Sequence, residues 1–209
     1  MYPETLRELE TKETGHKKLD KRQAIVDAAR SLFTTAGYEA TTIADVARKA
    51  GVAVGTVYLY FKNKTELLYA LKGDWETEYL ELMARPELQA IPHHKRARSL
   101  IEASFAMCAQ QTDMVQLMGL STQMMGELYK TDTYGPVQQA LKAFLDEARE
   151  LGSLRPVDTK AAAIMAFSMV ESVLEQCFQA EGGQNEQLYI DALVDAFEHW
   201  LVKPELLEG

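Results

Sequence analysis

Residues 42–61 read TIADVARKAGVAVGTVYLYF, and the placing of small, branched and aromatic residues in this stretch decides the fold. Thr42 followed three residues later by Asp45 is a capping-box pattern, which opens a short helix that ends near Gly51. Ala47 is small enough for two helices to cross closely, and Gly51 supplies a turn in which a side chain or a negative φ would obstruct the chain. Val46, Val52 and Val57 then form the small core between two helices. A second helix runs from about Val54 to Phe61, where Val57 and Phe61 at i,i+4 face inward and leave Val54, Gly55, Thr56, Tyr58 and Leu59 facing out. Two short helices joined by a glycine turn predict a helix-turn-helix over roughly residues 43–62.

Outward from this stretch, helical periodicity dominates and no segment alternates with period two between hairpin turns, so the class is all-α. A preceding helix is expected from Asp20 as N-cap to Gly37, burying Ile25, Ala28, Ala29, Leu32 and Phe33. A long fourth helix starts at Asn63, with Glu66 completing a second box, and reaches about Arg85 before Pro86. Breaks near Ile91–His94, Gln111–Met114, Lys130–Gly135, Leu151–Pro156 and Glu181–Gln184 leave five further helices, about nine in all. The expected organisation is a flexible tail over 1–19, a domain carrying the helix-turn-helix over 20–80, and a second helical domain over 81–209.

The net charge of −9 is unevenly distributed. Residues 17–72 hold ten basic against five acidic side chains, a net of +5, whereas residues 73–209 carry −12. A basic head on an acidic body suits phosphates at one end only. Cys108 and Cys177 are too few for a disulfide framework or a zinc site, and the four histidines show no metal-ligand spacing, so no metal and no cofactor are expected. The longest unbroken apolar run, Ala161–Phe167, is far shorter than a bilayer span, and the polar N-terminus lacks a secretory signal, which predicts a cytoplasmic chain without a membrane partner. No nucleophile elbow, phosphate loop or metal cluster points to an enzyme.

The string TTIADVARKAGVAVGTVYLYFKNKTELL resembles the N-terminal domain of the TetR family of bacterial regulators, and the likeness extends from about Asp20 to Leu71. The resemblance implies a homodimer that binds duplex DNA and is usually released by a small ligand. It also implies contacts: Thr42 with a phosphate, Thr56, Tyr58 and Tyr60 with bases or backbone, and Lys64 with a phosphate at the start of the fourth helix. Val54 and Gly55 lie on the same outward face, while Tyr60 could instead pack in the domain core. Residue chemistry supports Lys64 independently, because a cation in a helix's first turn opposes the helix dipole and gains most when an external anion sits there. Lys21 and Arg22 invite the same reading. Residues 54–60 contain no Arg, Lys, Asn or Gln, the side chains that make bidentate contacts to purine edges, so base reading must be thin.

In the body, residues 159–178 are apolar nearly all round, and Gln187–Val202 has a wide apolar face. Packing of these two helices against their copies across a two-fold axis would bury them, with Phe167, Val170, Leu174, Phe197 and Trp200 as interface candidates. Trp75, Tyr79 and Met83 form an i, i+4, i+8 stripe on the fourth helix. With Phe105, Met118, Met125, Tyr129, Phe144 and Met165 they are the candidate lining of a site for an apolar or amphipathic effector, the alternative being plain core. Two functions remain open: a ligand-responsive repressor, and a DNA-binding dimer that recruits a protein partner without a small-molecule effector.

Overall fold

The computed structural model describes residues 6–117 and 135–207, with side chains from residue 20 onward. Its helices are α1 (Leu6–Thr35), α2 (Ile43–Lys49), α3 (Val54–Tyr58), α4 (Lys64–Met83), α5 (Pro86–Gln89), α6 (His93–Gln110), α7 (residues 112–117), α8 (Pro136–Glu150), α9 (Thr159–Glu175) and α10 (Glu186–Leu201). A π-turn, Gln176–Ala180, extends α9, and a single 3-10 turn, Pro204–Leu206, follows α10. No strand occurs among the described residues, only one bridge between Leu154 and Val202. The chain divides into two units, Met1–Gly73 and Asp74–Gly209, so the boundary falls inside α4 and ahead of the expected residue 80.

Three sequence expectations are corrected. The first helix begins at Leu6 instead of Asp20, because residues 6–20 are rich in Leu, Glu, Lys and Arg and only Gly15 weakens the run, so nothing obliges a cap at Asp20. The third helix stops at Tyr58, short of Phe61, although Tyr60 and Phe61 N–H groups still bond the Val57 carbonyl at 3.0 Å. The one-turn α5, opened by Pro86 at its first position, raises the number of α-helices to ten among the described residues. The break expected at Lys130–Gly135 lies almost wholly outside them.

In the first unit, Ile25, Val26, Ala29 and Phe33 of α1 close on Val46 and Ala47 of α2, Val57 of α3, Phe61, and Leu67, Leu68 and Leu71 of α4, all buried. The turn between α2 and α3 is set by Gly51 at φ 67°. Val52 N–H reaches back to the Ala47 carbonyl at 3.0 Å and Gly51 N–H to the Arg48 carbonyl at 3.3 Å, the two bonds of a Schellman ending. The second box is displaced by one residue: Asn63 Oδ1 accepts the Glu66 N–H at 2.9 Å, while the Glu66 carboxylate accepts from the N–H of Lys62 at 2.8 Å.

In the second unit, α6, α8, α9 and α10 surround a core that includes Phe105, Leu145, Ala163, Cys177, Val194 and Phe197. Both thiols are buried and burial raises both pKa values, that of Cys108 to about 12, so they are poor nucleophiles. The α8–α9 loop is stitched to the end of α10 through Arg155 N–H to Leu201 O at 2.9 Å and Lys203 N–H to Ser153 O at 3.1 Å. Arg96 is only 4% exposed, yet its guanidinium bonds neutral oxygens: Gln89 O at 2.7 Å, Gln89 Oε1 at 3.0 Å and Ile91 O at 2.8 and 3.0 Å. Gln89 Nε2 in turn holds the Met83 carbonyl at 2.7 Å. This fork closes the corner where α4 gives way to α5 and α6.

Replacing Arg96 by Met is expected to destabilise the protein by about 2–4 kcal/mol, since buried carbonyls lose their donors. Arg96→Lys should recover little of this, because one ammonium cannot reproduce the planar fork. Urea denaturation of the three proteins checks this; equal midpoints would make the fork dispensable.

Candidate nucleic-acid interface

The first unit turns α3 outward. Val57 is fully buried, and on the opposite side Val54, Tyr58 and Leu59 are 42%, 53% and 82% exposed, with Gly55 also exposed. Thr56 and Tyr60 are half-buried; the Tyr60 ring lies 6.5 Å from that of Phe61, so it straddles core and surface. An ideal Cβ built on Gly55 meets no atom within 4 Å, so nothing inside the unit requires glycine at that helical position.

Thr42 caps α2 as expected, but its hydroxyl is committed. It donates to Asp45 Oδ2 at 2.6 Å and accepts the Asp45 N–H at 3.1 Å. These bonds, with Arg48 paired to the same carboxylate, hold the Asp45 carboxyl below its ordinary pKa. Lys64 is committed as well. Its Nζ donates to the carbonyls of Tyr38 at 2.7 Å and Glu39 at 3.3 Å, and lies 4.2 Å from the centre of the Tyr38 ring. The ammonium therefore ties the start of α4 to the α1–α2 loop, with at most one of its protons left for a phosphate.

The cations that stand furthest into solvent beside α2 and α3 are ones that sequence reasoning passed over. The side chains of Arg48 and Lys62 are 79% and 88% exposed, and Lys49 is exposed beside them. Their position at the end of α2 and just before α4 was visible in the sequence. Lys21 is exposed, whereas Arg22 is half-buried with its guanidinium 5.4 Å from the centre of the Phe61 ring.

In the second unit the candidate lining separates. Phe105 is fully buried against Phe178, with ring centres 6.0 Å apart. Tyr79, its hydroxyl pKa raised by burial, is hydrogen-bonded to Ser104 at 2.9 Å, and Trp75 packs on the core. Phe144 stacks on His93 at 5.0 Å and lies 5.5 Å from the Arg96 guanidinium, which Gln89 links to Met83. Met165 is 52% exposed and does not join this group, because its side of α9 faces away from the protomer core. Met118, Met125 and Tyr129 lie outside the described residues.

The interface candidates differ in how far the protomer itself buries them. Leu174 and Phe197 are 9% and 6% exposed and belong to the protomer's own core, while Phe167, Val170 and Trp200 are half-buried. The uncovered apolar side chains are Ile164 at 39% and Met165 at 52% on α9 and Leu188 at 66% on α10, flanked by exposed Ala161, Ala192 and Ala196. Thr159–Ala180 is long and apolar enough to cross a bilayer by length and composition, although its longest unbroken apolar run is short. Less than a third of its most apolar window is buried within the protomer.

A basic unit that holds a short helix outward on a glycine turn defines a DNA-binding helix-turn-helix. Residues 25–71 match the profile described as "Bacterial regulatory proteins, tetR family", which makes this segment a DNA-binding domain of the TetR type. It is 24% identical over 165 residues to the "Fatty acid metabolism regulator protein" of Bacillus subtilis, an alignment covering 75% of this chain and 83% of that one. The fold is shared with the fatty acid degradation regulator FadR of Bacillus halodurans, at a TM-score of 0.70 with 22% identity over 84% of this chain and 93% of that one. It is also shared with FadR of Bacillus subtilis in complex with stearoyl-CoA, at a TM-score of 0.62 with 18% identity over 83% and 96% of the two chains.

Gly55→Ala should leave the fold intact and raise its stability by up to about 1 kcal/mol, since alanine is the better helix former. If α3 enters the major groove, DNA affinity should nevertheless fall, because the added methyl would stand between its backbone and the DNA. Thermal melts together with a fluorescence-anisotropy titration separate the two effects. Undiminished DNA affinity in a stable variant would mean that the backbone at Gly55 stays clear of DNA.

Proposed function

We propose that the chain is a homodimeric repressor that binds a palindromic operator and is released by an apolar or amphipathic ligand. The observation that carries this reading is the pairing of an outward, cation-flanked α3 with an uncovered apolar face on α9 and α10. A symmetric dimer presents two copies of α3 to major grooves roughly 34–36 Å apart, which is what a palindrome requires. Thr56, Tyr58 and Tyr60 would meet bases or backbone, and Arg48, Lys49, Lys62 and the remaining Lys64 proton would meet phosphates. The stearoyl-CoA found in one structural relative makes long-chain acyl compounds the first ligand class to try. Trp75, Tyr79, Met83 and Phe144 are the side chains from which such a site would be built. The tight burial of Phe105 and the outward turn of Met165 favour a second reading, a dimer without an effector. Selecting bound genomic fragments, then titrating acyl compounds against the complex, tests both: a fragment that binds but is never released supports the second.

Ile164→Glu combined with Leu188→Glu should give a folded monomer, since both side chains are exposed in the protomer and a charge would be desolvated only in a dimer seam. Sedimentation velocity reads this directly. A dimer that persists with a wild-type melting temperature would move the interface off α9 and α10.

α4 carries Lys64 near one end and Trp75, Tyr79 and Met83 further along, so it is the covalent route from ligand to head. Tyr79→Phe removes only the hydroxyl bonded to Ser104. Operator affinity should stay within about twofold, while the ligand's effect on it should shrink, with an equal loss in the operator's effect on ligand affinity. A full ligand response in this variant would exclude the Tyr79–Ser104 contact from the coupling.

A further inference from the structure

The described residues contain seven large hydrophobic side chains that stand exposed, and three of them, Val54, Tyr58 and Leu59, fall within six positions on one short segment. Leu151 stands apart, and the other three belong to the α9–α10 face already assigned to a second copy. The cluster on α3 has no such partner in the chain. Its neighbours are the exposed cations Arg48, Lys49 and Lys62, which suit a phosphate-lined surface and not an apolar protein groove. No Arg, Lys, Asn or Gln occurs from Val54 to Tyr60, so bidentate reading of guanine or adenine is unavailable to this helix. The apolar feature that a major groove offers is the methyl group on C5 of thymine. Cytosine presents only hydrogen at C5 unless it has been methylated.

We propose that α3 selects operators by pyrimidine C5-methyl groups, with Leu59 as the principal specificity-determining residue and Val54 and the Tyr58 ring completing an apolar surface around it. The proposal rests on the reading that α3 enters the major groove. The recognised chemistry is the methyl itself, so 5-methylcytosine satisfies it as thymine does. Leu59 suits the role because it is the most exposed of the seven, at 82%, and its exposure leaves the domain core independent of it. Tyr58 and Thr56 then add single hydrogen bonds.

The test uses the full-length protein and an operator fragment selected from genomic DNA. Replacing thymine by uracil keeps every hydrogen-bonding group and removes only the methyl. Each contacted methyl lost should weaken binding roughly fourfold, and a symmetric pair roughly fifteenfold, the value of one buried carbon group taken once or twice. In a second arm, uracil is restored to thymine, or the base pair is exchanged for one carrying cytosine or 5-methylcytosine at the same pyrimidine. Thymine and 5-methylcytosine should each bind better than their unmethylated counterparts, and Leu59→Ala should erase both differences while retaining affinity for the uracil fragment. Equal binding of thymine and uracil operators overturns the proposal while DNA binding stands. A thymine–uracil difference that survives both Leu59→Ala and Val54→Ala belongs to DNA shape and also overturns it. Failure to bind any selected fragment, or binding unaffected by Gly55→Ala and Leu59→Ala together, removes α3 from the groove and overturns the underlying reading.

Discussion

The left-handed backbone at Gly51 is the constraint on which the rest of the DNA-binding unit depends. At φ 67° the chain reverses in a single residue, and the Val52 N–H closes on the Ala47 carbonyl at 3.0 Å. A residue with a Cβ would resist that conformation. Because α2 ends there, Ala47 can sit fully buried at the crossing point, and α3 leaves at an angle that sends Val57 into the core and Tyr58 and Leu59 out of it. The same geometry fixes where Phe61 lands, and from Phe61 the chain has only two residues before α4 begins. Lys64 then secures α4 to the loop that precedes α2, so the start and end of the motif are held to each other by one ammonium group.

What was legible in the sequence was whatever has a local cause. Caps at Thr42 and Asn63, positive φ at Gly37 and Gly51, and inward Val46 and Val57 all follow from residue types at fixed offsets, and the structure contains each of them. The start of α1 was missed for a related reason: a favourable cap at Asp20 was available, but a helix stops only where something stops it, and the preceding residues are good helix formers. Non-local choices were not legible. In α9 nearly every face is apolar, so composition could not say that Leu174 turns into the protomer's core while Ile164 and Met165 turn away. Lys64 is the instructive case at the site itself. Its position at a helix start marked it for a phosphate, but its acceptors within the chain are carbonyls 25 and 26 residues earlier, which no spacing rule links to it.

The corner around Arg96 shows a different economy. A buried guanidinium with no carboxylate partner among the described residues has to offset its desolvation with hydrogen bonds to neutral oxygens and the face of Phe144, so the arrangement is tolerable only while Gln89 and Ile91 keep their positions. That requirement makes the corner rigid. It also links the C-terminal end of α4, through Met83 and Gln89, to the face of Phe144 on α8. A body assembled mainly from Leu, Ala and Val would slide more easily at this point; the fork sets a register between helices that apolar packing alone leaves loosely specified.

The surface of the DNA-binding unit separates two tasks that many regulators combine in one side chain. Arginine on a reading helix supplies charge and base recognition together, so its affinity and its selectivity are both weakened by salt. Here the exposed cations Arg48, Lys49 and Lys62 flank α3, while α3 and its C-cap present Val54, Tyr58 and Leu59. On the proposed mode of binding, attraction to phosphates sets how strongly the unit holds any duplex, and it declines as counterions compete. If α3 reads methyl groups as proposed, apolar contact sets which duplex is preferred, and ions of ordinary buffers do not compete for it. The ratio of specific to non-specific affinity should therefore hold nearly constant while absolute affinity falls with rising salt, a consequence of placing charge beside the reading helix and not on it.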